Sequence, residues 1–195
     1  NGAITDTGNL SVGGEAKFTS GGNAITLGDT TTANFGKVGF FGSIVTITED
    51  SSMDIAESEA TDALAITADG EIKQTTGKIT AATTSSFIAG ANSITLNSAN
   101  DFTGAVSLSN TGANAVSLTD ANDLLIGSVD VGSTLALVST AGSINDAADD
   151  DTVDLTAGGL ITLTAPDEIG VLTTGTDTNL EFADGSTVNV SSTGT

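Results

Sequence analysis

Short runs of alternating aliphatic and small polar residues recur along the whole chain. Typical runs are residues 25–27 (ITL), 94–96 (ITL), 116–118 (VSL) and 135–137 (LAL). A period of two with many β-branched residues predicts β-strands, each too short to be stable alone. Gly, Asn, Asp, Ser and Thr fill the intervals and are typical of turns. The pattern therefore predicts an all-β protein built from many short strands.

One segment has a different composition. Residues 53–64 (MDIAESEATDAL) are rich in Ala, Glu and Asp, which are more common in helices than in strands. A short helix is the alternative to strands in this segment. The rest of the chain is predicted to be β.

The sequence also contains a repeat much longer than the strand pattern. Residues 23–27 (NAITL) match residues 92–96 (NSITL), and Phe18 matches Phe87 at the same offset. We call this the long repeat. Its period of about 70 residues suits three turns of about 23 residues, each carrying about three short strands. Stacking such turns would bury the apolar side of every strand in a narrow aliphatic core.

The predicted fold is therefore an all-β parallel β-helix, or β-solenoid, of about eight coils of roughly 23 residues. Residues 1–165 are predicted to form the solenoid repeats. Residues 166–195 are a continuation or divergent terminal coils, because residues 166–168 (PDE) break the rhythm. An immunoglobulin-like sandwich pair is the alternative, although its strands are usually longer and its core more aromatic.

The composition excludes several classes of function. The net charge is -21, His, Cys, Trp and Tyr are absent, and all four basic residues are lysines. A chain without His or Cys cannot form the usual zinc sites, a catalytic thiolate or a Ser-His-Asp system. Such an acidic surface repels phosphate backbones, so no nucleic acid is expected as a partner. No apolar run reaches about 18 residues, so no membrane span is predicted.

An acidic segment near the C-terminus is the candidate metal site. Residues 145–154 (NDAADDDTVD) are predicted to form a loop, and its Asp146, Asp149, Asp150 and Asp151 are the candidate calcium ligands. Calcium takes six to eight oxygen ligands, which carboxylates supply. The alternative is a solvated acidic face, since the segment has neither an EF-hand pattern nor a glycine-rich nonapeptide.

Catalysis by carboxylates alone is the rival to a structural function. A polysaccharide hydrolase needs two carboxylates at a defined separation, and Asp101, Asp120 and Asp123 are candidates. Residues 79–195 contain no basic residue that could handle an anionic substrate. The chain is therefore predicted not to be an enzyme.

Four phrases follow one another along the chain, namely residues 3–14 (AITDTGNLSVGG), 92–102 (NSITLNSANDF), 116–124 (VSLTDANDL) and 140–144 (TAGSI). Taken in this order, they resemble the repeats of filamentous haemagglutinin-like exoproteins of bacteria. The resemblance covers about residues 1–165. It implies a right-handed parallel β-helix, export across the outer membrane, and a location at the bacterial cell surface.

The predicted function is accordingly an extracellular structural repeat segment of a surface fibre or adhesin stalk, serving adhesion, biofilm or matrix scaffolding. The expected partners are neighbouring repeats or identical subunits arranged head-to-tail, with polysaccharide or cell surfaces as further candidates. The alternative is a ligand-binding adhesin that recognises polysaccharide or a host surface along one sheet face. The absence of Trp and Tyr, which sugar-binding faces commonly use, favours the scaffold.

Overall fold

The computed structural model describes residues 2–148, 152–170 and 179–192. Within these ranges every regular element is a β-strand, and all strand pairs are parallel. The predicted parallel β-solenoid is confirmed. The described residues include no helix long and apolar enough to cross a membrane.

Twenty strands make up the described part of the chain. In chain order they are β1 (Ile4–Thr5), β2 (Leu10–Thr19), β3 (Ile25–Leu27), β4 (Ala33–Gly42), β5 (Val45–Glu49), β6 (Met53–Asp54), β7 (Ser58–Ala60), β8 (Leu64–Ala68), β9 (Ile72–Lys73), β10 (Ile79–Ala81), β11 (Ser85–Ile88), β12 (Ile94–Phe102), β13 (Val106–Asn110), β14 (Val116–Asp120), β15 (Leu124–Val131), β16 (Leu135–Ser139), β17 (Ile144–Asp146), β18 (Leu155–Ala157), β19 (Leu160–Ala165) and β20 (Thr187–Ser192).

Each coil has three faces. In the coil formed by β8, β9 and β10, the first face is β8, the second is β9 and the third is β10. Strands of the same face pair with their counterparts one coil away, so that β8 pairs with β5 and β11, while β10 pairs with β7 and β12. The ladders together form sheets of nine and eleven strands. Long strands such as β12 and β15 continue around a corner from one face to the next.

The coil length follows from the strand registers. Paired positions are 19 apart for Val45↔Leu64 and 21 apart for Leu64↔Ser85, whereas those of Val129↔Leu155 are 26 apart. The solenoid makes about seven turns. Most coils before β17 are therefore shorter than the predicted coil, and the coils that follow β17 are longer.

The long repeat does not correspond to a whole number of coils. Ile25, Val45, Leu64 and Ser85 are successive partners on the first face, so three coils lead from position 25 only as far as position 85. Ile94, the sequence equivalent of Ile25, lies on the second face in β12. The repeat therefore advances by three coils plus one face, because most corners are shorter than the predicted coil requires.

Aliphatic side chains from successive coils stack inside the solenoid. In β14 and β16 the burial alternates strictly, as the period-two pattern predicts. Leu96, Leu118 and Leu137 are in register on the second face, and each is fully buried. Burial of one such side chain contributes about 1.5–3 kcal/mol, so the stack stabilises every coil it passes through.

Residues 53–64 form strands, and the helix considered for this segment is absent. Met53–Asp54 is β6, Ser58–Ala60 is β7, and Ile55 forms a bridge with Val38. Met53, Ile55 and Ala60 are all buried in the common core. The stacking with neighbouring coils outweighs the weak helical preference of this composition, as tertiary context often does.

One corner changes length near the C-terminus. We call it the third corner, the turn that leads from the third face of a coil to the first face of the next. It comprises positions 82–84 between β10 and β11 and positions 103–105 between β12 and β13. Further along, β17 ends at Asp146 and β18 begins nine positions later at Leu155, while the bridge residues Ile169 and Phe182 are 13 positions apart. The longer C-terminal coils arise at this corner.

Candidate functional site

Where the chain turns a corner, side-chain oxygens take the place of backbone carbonyls as acceptors for backbone N–H groups. The Asn100 Oδ1 accepts hydrogen bonds from the Ile79 N–H at 2.9 Å and from the Gln74 Nε2 at 2.8 Å. Its Nδ2 donates to the Leu96 and Thr119 carbonyls, both at 3.1 Å. Every polar atom of this fully buried side chain is therefore satisfied, as buried amides require.

Asp120 is the counterpart of Asn100 one coil further on. Its Oδ1 accepts a hydrogen bond from the Phe102 N–H at 3.1 Å, but its Oδ2 is buried without a partner. Burial raises the pKa of Asp120 to about 7, and repulsion from Asp101 and Asp123 adds to the rise, against the lowering effect of backbone hydrogen bonds from Phe102 and Ala121. A carboxyl group thus occupies a position where the neighbouring coil has an amide.

Glu49 is a second buried carboxyl group, at the end of β5 on the first face. Its Oε1 accepts hydrogen bonds from the Phe35 N–H and the Ser51 Oγ, both at 3.0 Å, while its Oε2 has no partner. Burial raises the pKa of Glu49, and the hydrogen bonds from Phe35 and Ser51 oppose this rise. In both Glu49 and Asp120, one carboxyl oxygen accepts a backbone hydrogen bond and the other has no hydrogen-bond partner.

Three carboxylates meet at the lengthened third corner. Asp146 ends β17 at the start of the corner, and Asp154 lies at its end, directly before β18. Glu181 occupies the same place one coil later, before the Phe182 bridge to Leu155. One carboxylate oxygen from each lies within 4.8 Å of the others, and we call these residues the carboxylate cluster.

The backbone holds the carboxylate cluster in place. The Asp146 Oδ1 accepts a hydrogen bond from the Ala148 N–H at 2.9 Å, and the Asp154 Oδ2 accepts one from the Glu181 N–H at 2.9 Å. The Asp146 Oδ2 and the Glu181 Oε2 are buried and have no hydrogen-bond partner. Asp146 is 4% exposed and Asp154 is 3% exposed, so water screens these charges poorly.

The electrostatics of the carboxylate cluster are unfavourable without a counter-charge. Two unit charges 4.8 Å apart repel by about 3.5 kcal/mol at an effective dielectric constant of about 20. Burial raises the pKa of Asp154, and a side-chain hydrogen bond with Glu181 and repulsion from Asp146 and Glu181 act in the same direction. The cluster is therefore suited to hold a proton or a cation.

The structure places one of the four predicted calcium ligands and leaves calcium binding itself a prediction. Asp146 lies in the carboxylate cluster, whereas Asp149, Asp150 and Asp151 lie outside the described residues. Asp154 belongs to the same acidic segment of the sequence. Glu181 was missed, because its proximity depends on a register between Leu155 and Phe182 that no sequence pattern indicates.

The carboxylates considered for hydrolysis have separate structural partners. Asp101 forms an ion pair with Lys78 at 3.3 Å, and the Asp123 Oδ1 accepts a hydrogen bond from the Ser143 N–H at 2.8 Å. Asp120 is fully buried. These contacts explain the positions of all three side chains through the stability of the corners.

A second acidic stretch of the sequence, residues 49–62, contains six carboxylates that lie in different environments. Glu49 is buried, as described above. Asp54 forms an ion pair with Lys37 at 3.4 Å and accepts a hydrogen bond from the Thr75 Oγ1 at 2.8 Å. Glu57 and Glu59 are exposed. The segment therefore combines corner contacts with a solvated face.

Comparison with known proteins identifies a repeat family. The family model described as repeats of unknown function (DUF5649) matches residues 1–38, 42–109 and 113–174. No curated protein and no solved structure gives a significant match. The three matched ranges cover most of the sequence, and they include almost all residues of strands β1 to β19. The chain therefore belongs to the DUF5649 repeat family.

Proposed function

We propose that the chain is an extracellular structural repeat segment of a bacterial surface fibre or adhesin stalk. The supporting observation is the uninterrupted succession of parallel strands from β1 to β18 on the first face and from β2 to β20 around the other faces. At about 4.8 Å per coil, about seven turns form a rod about 35 Å long. Repetition of the unit lengthens such a rod without a new fold.

The rod is suited to bear a load along its axis. Each coil is joined to the next by backbone hydrogen bonds on all three faces. Examples are Val45 N–H to Ala63 O at 2.9 Å on the first face, Met53 N–H to Glu71 O at 2.8 Å on the second, and Ser58 N–H to Lys78 O at 2.9 Å on the third. Axial tension acts on many of these bonds together, while the stacked aliphatic core excludes water from the inner side of the ladders. A stalk requires this combination of stiffness and narrow cross-section.

Stacking on further repeats is the proposed mode of association. The strand β20 is the outermost rung of its ladder in the described part, with Val190 56% exposed and Val188 partly buried. A sheet edge of this kind favours the addition of another parallel strand. The proposed neighbours are further repeats or identical subunits placed head-to-tail, and the net charge of -21 opposes lateral association.

Immunogold electron microscopy of intact source cells tests this proposal. An antibody raised against residues 1–195 is expected to label thin fibres outside the cell, and diffraction from isolated fibres is expected to show an axial spacing of about 4.8 Å. A matched antibody against a cytoplasmic protein serves as the control for cell integrity. Label confined to the cell interior would contradict the proposal.

A ligand-binding adhesin is the second candidate function. A surface depression of about 310 Å³ on the third face is lined by Phe41, Glu57, Glu59, Lys78 and Thr80, which combines an aromatic ring with charged groups. Calorimetric titration with neutral and cationic oligosaccharides separates the two functions. Saturable binding that a Phe41→Ala substitution abolishes would favour the adhesin, and its absence would favour the scaffold.

A further inference from the structure

We propose that Asp146, Asp154 and Glu181 bind one calcium ion, which joins the two C-terminal coils of the described solenoid. This site is independent of the proposed function, because it follows from the geometry of the third corner alone. The three residues come from two successive coils, with Asp146 and Asp154 on one and Glu181 on the next. A bound cation would therefore connect neighbouring coils through side chains, in addition to the backbone ladder.

The state of Asp146 is the observation that points to a ligand. This side chain is only 4% exposed, its Oδ1 is bound to the Ala148 N–H, and its buried Oδ2 has no hydrogen-bond partner. The Glu181 Oε2 is a second buried oxygen without a partner in the same cluster. Buried polar atoms are almost always satisfied, so two unsatisfied carboxyl oxygens on residues of one cluster indicate a missing positive charge.

No side chain of the chain can supply that charge locally. The four lysines are Lys17, Lys37, Lys73 and Lys78, and there is no basic residue after position 78. The ion pairs in the described part lie within residues 37–101, several coils from the carboxylate cluster. The compensating positive charge must therefore come from solution, as a proton or as a metal cation.

Calcium fits this donor set better than other common metal ions. The donors are all carboxylate oxygens, which suit hard cations and not the metals that prefer nitrogen or sulfur ligands. Magnesium needs a small octahedral site and releases its water reluctantly, whereas calcium accepts an irregular set completed by water. Because the three ligands come from two separate corners, their arrangement need not be octahedral, and this favours calcium over magnesium.

Calorimetric titration of the whole chain with CaCl2 tests the proposal. The chelator-treated protein is exchanged into a buffer with about 150 mM NaCl, which suppresses general attraction to the acidic surface. We expect one calcium ion per chain with a Kd of about 10⁻⁴–10⁻³ M, the range of extracellular calcium modules. At about 10 mM CaCl2 we expect the Tm to rise by about 5 °C, because the ion binds the folded state alone.

The variant Asp146→Asn makes the test specific. It keeps an oxygen for the Ala148 N–H and replaces only the carboxylate charge, so the fold is expected to persist. We expect calcium affinity to fall at least tenfold and the Tm rise to disappear. A second variant, Glu181→Gln, is expected to behave in the same way, and the matched control Asp130→Asn, an exposed acid on β15, is expected to change the affinity less than twofold.

Three outcomes would overturn the proposal. The first is the absence of saturable calcium binding in the same NaCl buffer. The second is binding that Asp146→Asn and Asp130→Asn weaken equally, which would assign the ion to the general surface charge. The third is magnesium binding as tight as calcium binding, which would overturn the assignment of the ion. None of these results depends on whether the chain forms surface fibres.

Discussion

Replacing Asp120 with asparagine is expected to stabilise the protein at neutral and alkaline pH. The native Asp120 uses Oδ1 to accept from the Phe102 N–H and leaves Oδ2 buried without a partner. The substitution keeps the acceptor and converts the unused oxygen into an amide. In the neighbouring coil, the Asn100 amide donates to the Leu96 and Thr119 carbonyls. Val138 is the register partner of Thr119, so an amide at position 120 is expected to donate a hydrogen bond to the Val138 carbonyl.

The magnitude follows from the pKa of Asp120, which burial raises from its ordinary value of 3.8 to about 7. Between these pH values the folded state binds more protons than the unfolded state, so the free energy of unfolding falls as the pH rises from about 4 to 7. At about 1.36 kcal/mol per pKa unit, the full penalty above pH 7 is about 4 kcal/mol. Local relaxation and water entry reduce it to about 2 kcal/mol.

Urea unfolding at pH 5 and pH 8 measures this effect, and both values avoid precipitation near the isoelectric point of about 4.1. We expect Asp120→Asn to raise the free energy of unfolding by about 2 kcal/mol at pH 8 and by less than about 1 kcal/mol at pH 5. The exposed Asp130→Asn removes the same charge and is expected to change stability by less than about 0.5 kcal/mol. Equal or destabilising effects of Asp120→Asn at the two pH values would refute the reasoning.

Three further substitutions test the packing and the corners. Glu49→Gln retains the oxygen that accepts a hydrogen bond from the Phe35 N–H. In the same urea series it is expected to add about 1 kcal/mol to the free energy of unfolding at pH 8 and less at pH 5. A lower free energy of unfolding at pH 8 would contradict this prediction. Leu118→Ala opens a cavity in the aliphatic stack and is expected to lower the free energy of unfolding, measured in urea, by about 2–5 kcal/mol. A decrease below about 1 kcal/mol would show that neighbouring side chains move in to fill the cavity. Gly36→Ala places a Cβ in steric conflict with the Gly13 carbonyl oxygen, whereas a Cβ at Gly13 meets nothing within 4 Å. We therefore expect the Tm to drop by several degrees for Gly36→Ala and to stay unchanged for Gly13→Ala. Equal Tm values for the two variants would exclude the clash.

The fold could be predicted from the sequence because its signal is local. The alternation in residues 116–118 places Val116 and Leu118 on the inner side, and the structure buries both. Coil length was harder to predict, because a shorter corner and a longer one leave the same alternating pattern in the strands. The long repeat therefore indicated the correct class of fold together with an incorrect division into coils.

The carboxylate cluster was predictable only in part, for a related reason. Asp146 and Asp154 belong to one acidic segment, so composition alone brings them to attention. Glu181 joins them through the pairing of Leu155 with Phe182, and this pairing depends on how far the chain leaves the coil at the third corner. The buried Asp120 was equally hidden, since its sequence resembles an ordinary surface turn and its burial depends on the register with Asn100.

The unequal third corners have a consequence for protein engineering and for divergence among repeats. The residues that flank this corner are four positions apart at Phe102 and Val106, nine at Asp146 and Leu155, and 13 at Ile169 and Phe182, while β16, β19 and β20 remain in register on the second face. Added residues at this vertex leave the pitch of the rod unchanged, because the ladders on both sides continue without a gap. The vertex is thus a permissive site, where an epitope or a binding peptide can be displayed along one edge of the rod at intervals of about 4.8 Å.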